Sequence, residues 1–206
     1  MSHFQRTRKG KRAPWLELTC QQQYDFEDGT GRWIRPSFKD PRRPDKLSVA
    51  AKPNILVVED CADDAKLLQR LFSKTGFDLA LQFVSDGVEA MSYLLGRDQF
   101  ADRQQYPEPN LMLIDLHMPR VNGLELMSWL RTQPDFEHLI IIALSGSADQ
   151  DEIDRAYQMG ANSYLLKPGS AIELERVIDA FCRYWVESNY LPRPGSNPAT
   201  RPDRRA

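Results

Sequence analysis

Four small groups of residues in this chain have the types and spacing to act as one chemical unit: Glu59-Asp60, Asp115, Ser145 and Lys167-Pro168. Each closes a short apolar run. Three carboxylates crowded together repel one another and raise each other's proton affinity. A divalent cation relieves that repulsion, and hard oxygen donors with few histidines nearby favour Mg²⁺ over zinc. Lys167 adds a fixed positive charge and Ser145 a hydroxyl donor. Such a set suits a tetrahedral dianion carried on a carboxylate, which is phosphoryl transfer to an aspartate nucleophile, with metal and lysine countering charge on the equatorial oxygens. Each residue alone also has a plainer reading. Glu59-Asp60 can cap a helix, Asp115 can be a loop acid or N-cap, and Lys167 can be a solvated loop lysine.

Whether these groups meet depends on the elements that carry them. Asn54–Val58, Leu79–Val84, Leu111–Leu116, Leu139–Leu144 and Ser163–Leu166 are short apolar runs that read as strands. Between them lie helical patterns. Ala62–Thr75 carries Ala65, Leu68, Leu71 and Phe72 and stops at Gly76. Asp86 caps a helix with Val88, Met91, Leu94 and Leu95, stopped by Gly96. Gly123–Thr132 turns Leu126, Met127 and Leu130 inward, and Asp149–Met159 does the same with Ile153, Ala156 and Tyr157 before Gly160. Ser170 and Glu173 form a capping box for a last helix reaching about Ser188, with Ile172, Val177, Ile178, Phe181 and Trp185 on its apolar side. Alternating strands and helices imply a parallel sheet with right-handed crossovers and helices on both faces. Polar chemistry then collects beyond the carboxyl ends of the strands, where the four groups fall.

The flanks are different in kind. Residues 1–53 carry 12 Lys/Arg against 6 Asp/Glu, a net of +6, with prolines at 14, 36, 41, 44 and 53. They read as a basic, mostly disordered arm, with local structure at most around Trp15–Leu18 or Trp33–Ile34. Residues 54–189 carry 11 basic and 22 acidic groups, a net of -11, and residues 190–206 form a basic, proline-rich tail of net +3. The charge segregation divides the chain into arm, 54–189 body and tail. No run is long enough for a membrane helix, and no apolar stretch follows the basic N-terminus as in a signal peptide. Cys20, Cys61 and Cys182 are widely spaced and odd in number, so they read as reduced thiols of a cytoplasmic protein.

Four segments, Ile55-Leu-Val-Val-Glu-Asp60, Leu113-Ile-Asp-Leu-His-Met-Pro119 with Gly123, Ala143-Leu-Ser145 and Tyr164-Leu-Leu-Lys-Pro168, resemble in order and spacing the receiver domain of bacterial response regulators. The resemblance covers residues 54–189. It implies a flavodoxin-like, doubly wound, five-stranded parallel sheet of order 2-1-3-4-5. It makes Asp115 the phosphoacceptor, Asp60 a direct Mg²⁺ ligand, Glu59 a second acid of the metal site and the backbone carbonyl of His117 a third ligand. Lys167 would contact the phosphoryl group, held by a cis bond before Pro168, and Ser145 and Tyr164 match the family's switch pair. Ser145 stands where Thr is common and Gly169 where an aromatic is common. The Val-Glu-Asp opening, the long 96–109 loop and the C-terminal Tyr184-Trp-Val-Glu-Ser-Asn-Tyr-Leu-Pro192 are similar to small response regulators that pair with phytochrome histidine kinases.

The expected role is signalling rather than enzymatic turnover. Asp115 takes phosphate from a sensor histidine kinase, and the face made by the fourth helix, fifth strand and fifth helix changes its partner or its self-association. Phe181, Tyr184 and Trp185 are expected on a homodimer face, although ordinary core packing also accounts for Phe181 and Trp185. No second folded domain is expected after residue 189. Two other readings stay open: a nucleic-acid-binding regulator that uses the basic arm, although prolines break it, and a phosphorelay intermediate with the same chemistry. Phe26-Glu-Asp-Gly-Thr30 approaches a phosphatase signature, but Phe26 stands in place of the nucleophilic aspartate.

Overall fold

The computed structural model describes residues 52–192. The arm, with its Trp15, Trp33, Cys20 and Phe26 segments, and the tail beyond Pro192 lie outside the described residues. Five strands and five helices alternate: β1 (Asn54–Val58), α1 (Ala62–Lys74), β2 (Ala80–Val84), α2 (Gly87–Leu95), β3 (Leu111–Asp115), α3 (Gly123–Thr132), β4 (Ile140–Ser145), α4 (Gln150–Gln158), β5 (Ser163–Leu166) and α5 (Ala171–Phe181). The chain continues from α5 as a wider π-helical segment, Cys182–Ser188. All strand pairs are parallel and the order is β2-β1-β3-β4-β5, as the resemblance implied.

Every residue of β1 and β3 is buried, because each strand is covered on both faces. Alternate side chains feed two cores. Leu56, Val58, Met112, Ile114, Ile141 and Ala143 meet Ala90, Tyr93, Leu126, Met127, Leu130 and Ala156 from α2, α3 and α4. Ile55, Val57, Leu111, Leu113, Ile142 and Leu144 meet Leu68, Phe72, Leu174, Ile178 and Phe181 from α1 and α5. The double cover keeps the strand ends in place on a rigid base. Leu191 also packs on the second core, and the Pro192 carbonyl accepts from Asn110 Nδ2 at 3.2 Å, so the packed body reaches Pro192.

The helix caps follow the sequence at α2 and α5. Asp86 Oδ1 accepts from the Glu89 amide at 2.9 Å, and Ser170 Oγ accepts from the Glu173 amide at 3.2 Å. At Ser170 the return half of the box is replaced by a bond from Ser170 Oγ to Glu173 Oε2. Asn122 and Glu125 make a reciprocal box on α3 that the sequence reading passed over.

Several apolar stripes lie elsewhere than expected. Val88 and Leu95 are exposed, because Ala90, Tyr93 and Leu94 face the sheet; Tyr157 and Ile172 are exposed as well. The inward stripe of α5 is Leu174, Ile178, Phe181 and Cys182. Phe181 is therefore corrected from a dimer-face residue to a core residue, 3% exposed, its ring edge-on to Phe72 at 5.6 Å. The loop between α2 and β3 is well packed. Phe100 and Tyr106 stack around Tyr93, while Arg103 donates to the carbonyls of Tyr93, Leu94 and Tyr106. Among the described residues no helix is long and apolar enough to cross a membrane.

Candidate functional site

The parallel order brings the carboxyl ends of β1, β3, β4 and β5 to one edge, and two polar clusters form there. The first is built by β1, β3 and β5. Glu59 follows β1 and is 4% exposed, Asp115 ends β3 and is 8% exposed, and Asp60 faces solvent. Single carboxylate oxygens of these three residues lie within 4.8 Å of one another. Lys167, just past β5, sends its ammonium into this group, 2.7 Å from Glu59 Oε2 and 3.1 Å from Asp115 Oδ2. It also lies 2.6 Å from Asp64 Oδ2 in the first turn of α1, a partner the sequence reading did not name.

Each member is fixed by the backbone around it. The Lys167 amide donates to the Ser145 carbonyl at 2.6 Å, which ties β5 to the end of β4. The other oxygen of Asp115 accepts from the His117 amide at 2.8 Å, and Glu59 Oε1 accepts from the Cys61 amide at 3.2 Å. Gly123 opens α3 against this point: a Cβ there would lie 2.5 Å from the Asp115 carbonyl oxygen. Only glycine lets the helix start so close to the end of β3. No peptide bond among the described residues is cis, so the expected cis bond before Pro168 is corrected. The amide contact and the three carboxylates hold Lys167 without it.

Four carboxylates around one ammonium leave a surplus of negative charge. Burial pushes the Glu59 carboxyl up, with Asp115 adding to the effect, and the bond from Lys167 only partly offsets it. Burial disfavours the ammonium of Lys167, yet the bonds to Asp64, Glu59 and Asp115 hold it well above the ordinary lysine range. A divalent cation among Glu59, Asp60 and Asp115 would remove the surplus, and an all-oxygen donor set fits a hard ion such as Mg²⁺.

The second cluster joins β4, β5 and α4 (Gln150–Gln158). Ser145 ends β4, fully buried, and its hydroxyl donates to Glu152 Oε1 at 2.7 Å. Tyr164 places its hydroxyl 2.8 Å from the same oxygen and 2.8 Å from the Ser147 carbonyl. His117 Nε2 lies 3.1 Å from Glu152 Oε2, and its Nδ1 lies 3.4 Å from Ser145 Oγ. The His117 side chain thus turns toward α4 rather than toward the acids. Partial burial acts against the charged form of Glu152, but bonds from Ser145 and Tyr164, with His117 beside them, hold its carboxyl below the usual range.

The structure therefore gathers Glu59, Asp60, Asp115 and Lys167 in one group, and Ser145, Tyr164 and the His117 ring in another around Glu152. Glu152 was missed. The sequence offered only an acidic run from Asp149 to Asp154, which ordinarily signals a helix N-terminus. Of the three aromatics expected on a dimer face, Tyr184 is exposed at 58%, Trp185 is half-buried against the α1/α5 core with its ring 4.9 Å from Tyr184, and Phe181 is internal.

The model for the response regulator receiver domain matches residues 55–179. Response regulator Rcp1 of Synechocystis is 30% identical over 138 residues, covering 67% of this chain and 92% of Rcp1. A solved Mn²⁺-bound form of Rcp1 superposes with a TM-score of 0.63 at 28% identity, covering 68% of this chain and 99% of that one. The phosphorylated cyanobacterial phytochrome response regulator RcpA gives 0.64 at 27% identity, covering 69% of this chain and all of RcpA. RPA3017, a response regulator in red light signalling of R. palustris, gives 0.65 at 37% identity, covering 68% of this chain and 99% of its own. The chain is a member of the response regulator receiver family, with phytochrome response regulators among its relatives.

Proposed function

We propose that Asp115 accepts a phosphoryl group from the phosphohistidine of a sensor kinase. One observation carries this reading: a carboxylate on a rigid strand end, one oxygen held by the His117 amide, the other beside Lys167, with Glu59 and Asp60 within ligand distance. A carboxylate oxygen of Asp115 attacks phosphorus, the P–N bond breaks, and the imidazole leaves with the electron pair. Lys167 stays beside the transferred group and balances its charge. Glu59, Asp60, Asp115 and the backbone carbonyl of His117 would hold a Mg²⁺ ion, whose chemistry there is to neutralise the equatorial phosphoryl oxygens. A cleft lined by Asp64, Leu67, Lys167, Pro168, Gly169 and Leu174 opens beside the site and offers the donor a way in. Later attack of water on the aspartyl phosphate resets the site, so the protein acts as a timed signal and not as a turnover enzyme.

In this reading the working receiver is the 54–189 body extended by the packed residues up to Pro192, flanked by a basic arm at 1–53 and the basic tail that follows, in the cytoplasm. The kinase is of the phytochrome type, supported by Rcp1, RcpA and the red-light regulator RPA3017 among the relatives. A second copy of the chain covers the exposed Tyr184 and Tyr190 beside half-buried Trp185. A phosphorelay role shares this chemistry, and reverse transfer to a histidine phosphotransfer protein separates the two. The test is labelled acetyl phosphate with Mg²⁺. One phosphoryl group per chain, lost on chelation and absent from Asp115→Asn, is the expected result. Label retained by Asp115→Asn would sink the reading.

A further inference from the structure

The hydroxyls of Ser145 and Tyr164 lie on two neighbouring strands, yet both converge on one oxygen of Glu152 in the first turn of α4. The other oxygen of Glu152 faces His117 from the β3–α3 loop. One carboxylate therefore gathers groups from β4, β5 and the loop after Asp115. Serine has a single hydroxyl proton, and an ionised carboxylate is an acceptor only. While Ser145 donates to Glu152 it cannot donate to a phosphoryl oxygen on Asp115. The two anions compete for one donor, and a dianion placed near the Glu152 carboxylate raises the electrostatic cost of keeping both in place.

Building on the phosphoacceptor reading, we propose that Glu152 is a positioning residue that latches the receiver in its unphosphorylated arrangement. Phosphorylation of Asp115 recruits the Ser145 hydroxyl and must first take it from Glu152. Once that bond is gone, Glu152 keeps the Tyr164 hydroxyl and His117 but has lost its tie to the end of β4. The start of α4 is then released from the end of β4. Glu152 thus sets how much of the phosphoryl binding energy goes into moving α4, because any free energy spent on breaking the latch is missing from the apparent affinity.

Beryllofluoride, a stable mimic of the phosphoryl group on a carboxylate, is titrated in saturating Mg²⁺ and followed by intrinsic fluorescence. It is applied to the wild type, Glu152→Gln, Glu152→Ala, Ser145→Ala and the Ser145→Ala/Glu152→Gln pair. Gln keeps the shape and a weaker acceptor, so half-saturation should fall about threefold in Glu152→Gln and about tenfold in Glu152→Ala. In the Ser145→Ala background the Gln substitution should change half-saturation by less than about twofold, because the proton it competes for is gone. Thermal melts confirm that each variant is folded. Unchanged or weaker binding by Glu152→Gln overturns the latch. Equal tightening with and without Ser145 also overturns it, since charge repulsion alone then accounts for the effect. Wild type that fails to bind, or binding that survives Asp115→Asn, overturns the phosphoacceptor reading itself and the latch with it.

Discussion

The two halves of the sheet's carboxyl edge are built to opposite specifications. On the β1/β3 side, charges sit on strand ends and short turns, and backbone amides of Cys61 and His117 orient the carboxylates. Lys167 reaches this side from β5, anchored by its own amide to β4. On the β4/β5 side, the polar groups are two hydroxyls and a histidine gathered on a glutamate from a helix. A hydroxyl can rotate to a new acceptor for about the cost of one hydrogen bond, whereas a buried carboxylate cannot leave its ammonium without a much larger one. In the proposed reading the chemistry belongs to the half that cannot move, and the response to the half that can. Ser145 is where they touch: its carbonyl accepts from the Lys167 amide while its hydroxyl serves Glu152.

The largest break in this contrast should come from Lys167→Met. It leaves buried Glu59 without its countercharge, so urea unfolding should show a loss of about 3 kcal/mol. Mg²⁺ should restore part of that loss. The folded-state pKa of Lys167 is raised. Its contribution is therefore fully present below the unfolded lysine value of about 10.4 and is lost only as pH rises through the higher folded value. The stability gap between wild type and Lys167→Met should accordingly stay constant across neutral pH. A gap that closes there would mean that the ammonium is not what stabilises this half.

Asp60→Ala should come next. Removing an inner-sphere ligand should weaken metal binding at least about tenfold by fluorescence titration, comparable to the usual cost of disturbing a metal's coordination. Unaltered affinity would take Asp60 out of the site. Trp185→Ala should shift the expected homodimer toward monomer by about tenfold in sedimentation at micromolar concentration. A monomeric wild type would remove the dimer, and an unchanged dimer would place its interface away from Trp185. The smallest effect should be Ser145→Ala. A buried hydroxyl bonded to a carboxylate is worth about 1.5 kcal/mol, so the unphosphorylated protein should lose about that much stability while Mg²⁺ affinity stays within about twofold. A large loss of Mg²⁺ affinity would show that the two halves are not separable.

The same contrast marks what was legible in the sequence. A strand buried on both faces declares itself as an apolar run, and the residue that follows it must lie at the sheet's carboxyl edge. Glu59, Asp60, Asp115, Ser145 and Lys167 could therefore be placed at one edge from order alone. Glu152 and Asp64 sit in first turns of helices, where acids are common for other reasons, and only the packing of α4 and α1 on the sheet reveals what they touch. Phe181 was misjudged for a related reason. Its helix has apolar residues on more than one side, and the sheet selects Leu174, Ile178, Phe181 and Cys182 while leaving Ile172 in solvent. Helix-borne contacts depend on rotation about an axis that short apolar patterns define poorly.

Among the acids of the cluster, Asp115 alone is proposed to carry the phosphoryl group. Protein treated with acetyl phosphate and Mg²⁺ is reduced with borohydride, which converts an aspartyl phosphate to homoserine, and the position is read by tandem mass spectrometry. Homoserine at position 115 alone is the expected result; homoserine at position 60, or at no position in a chain that has taken up label, would remove Asp115 as the acceptor.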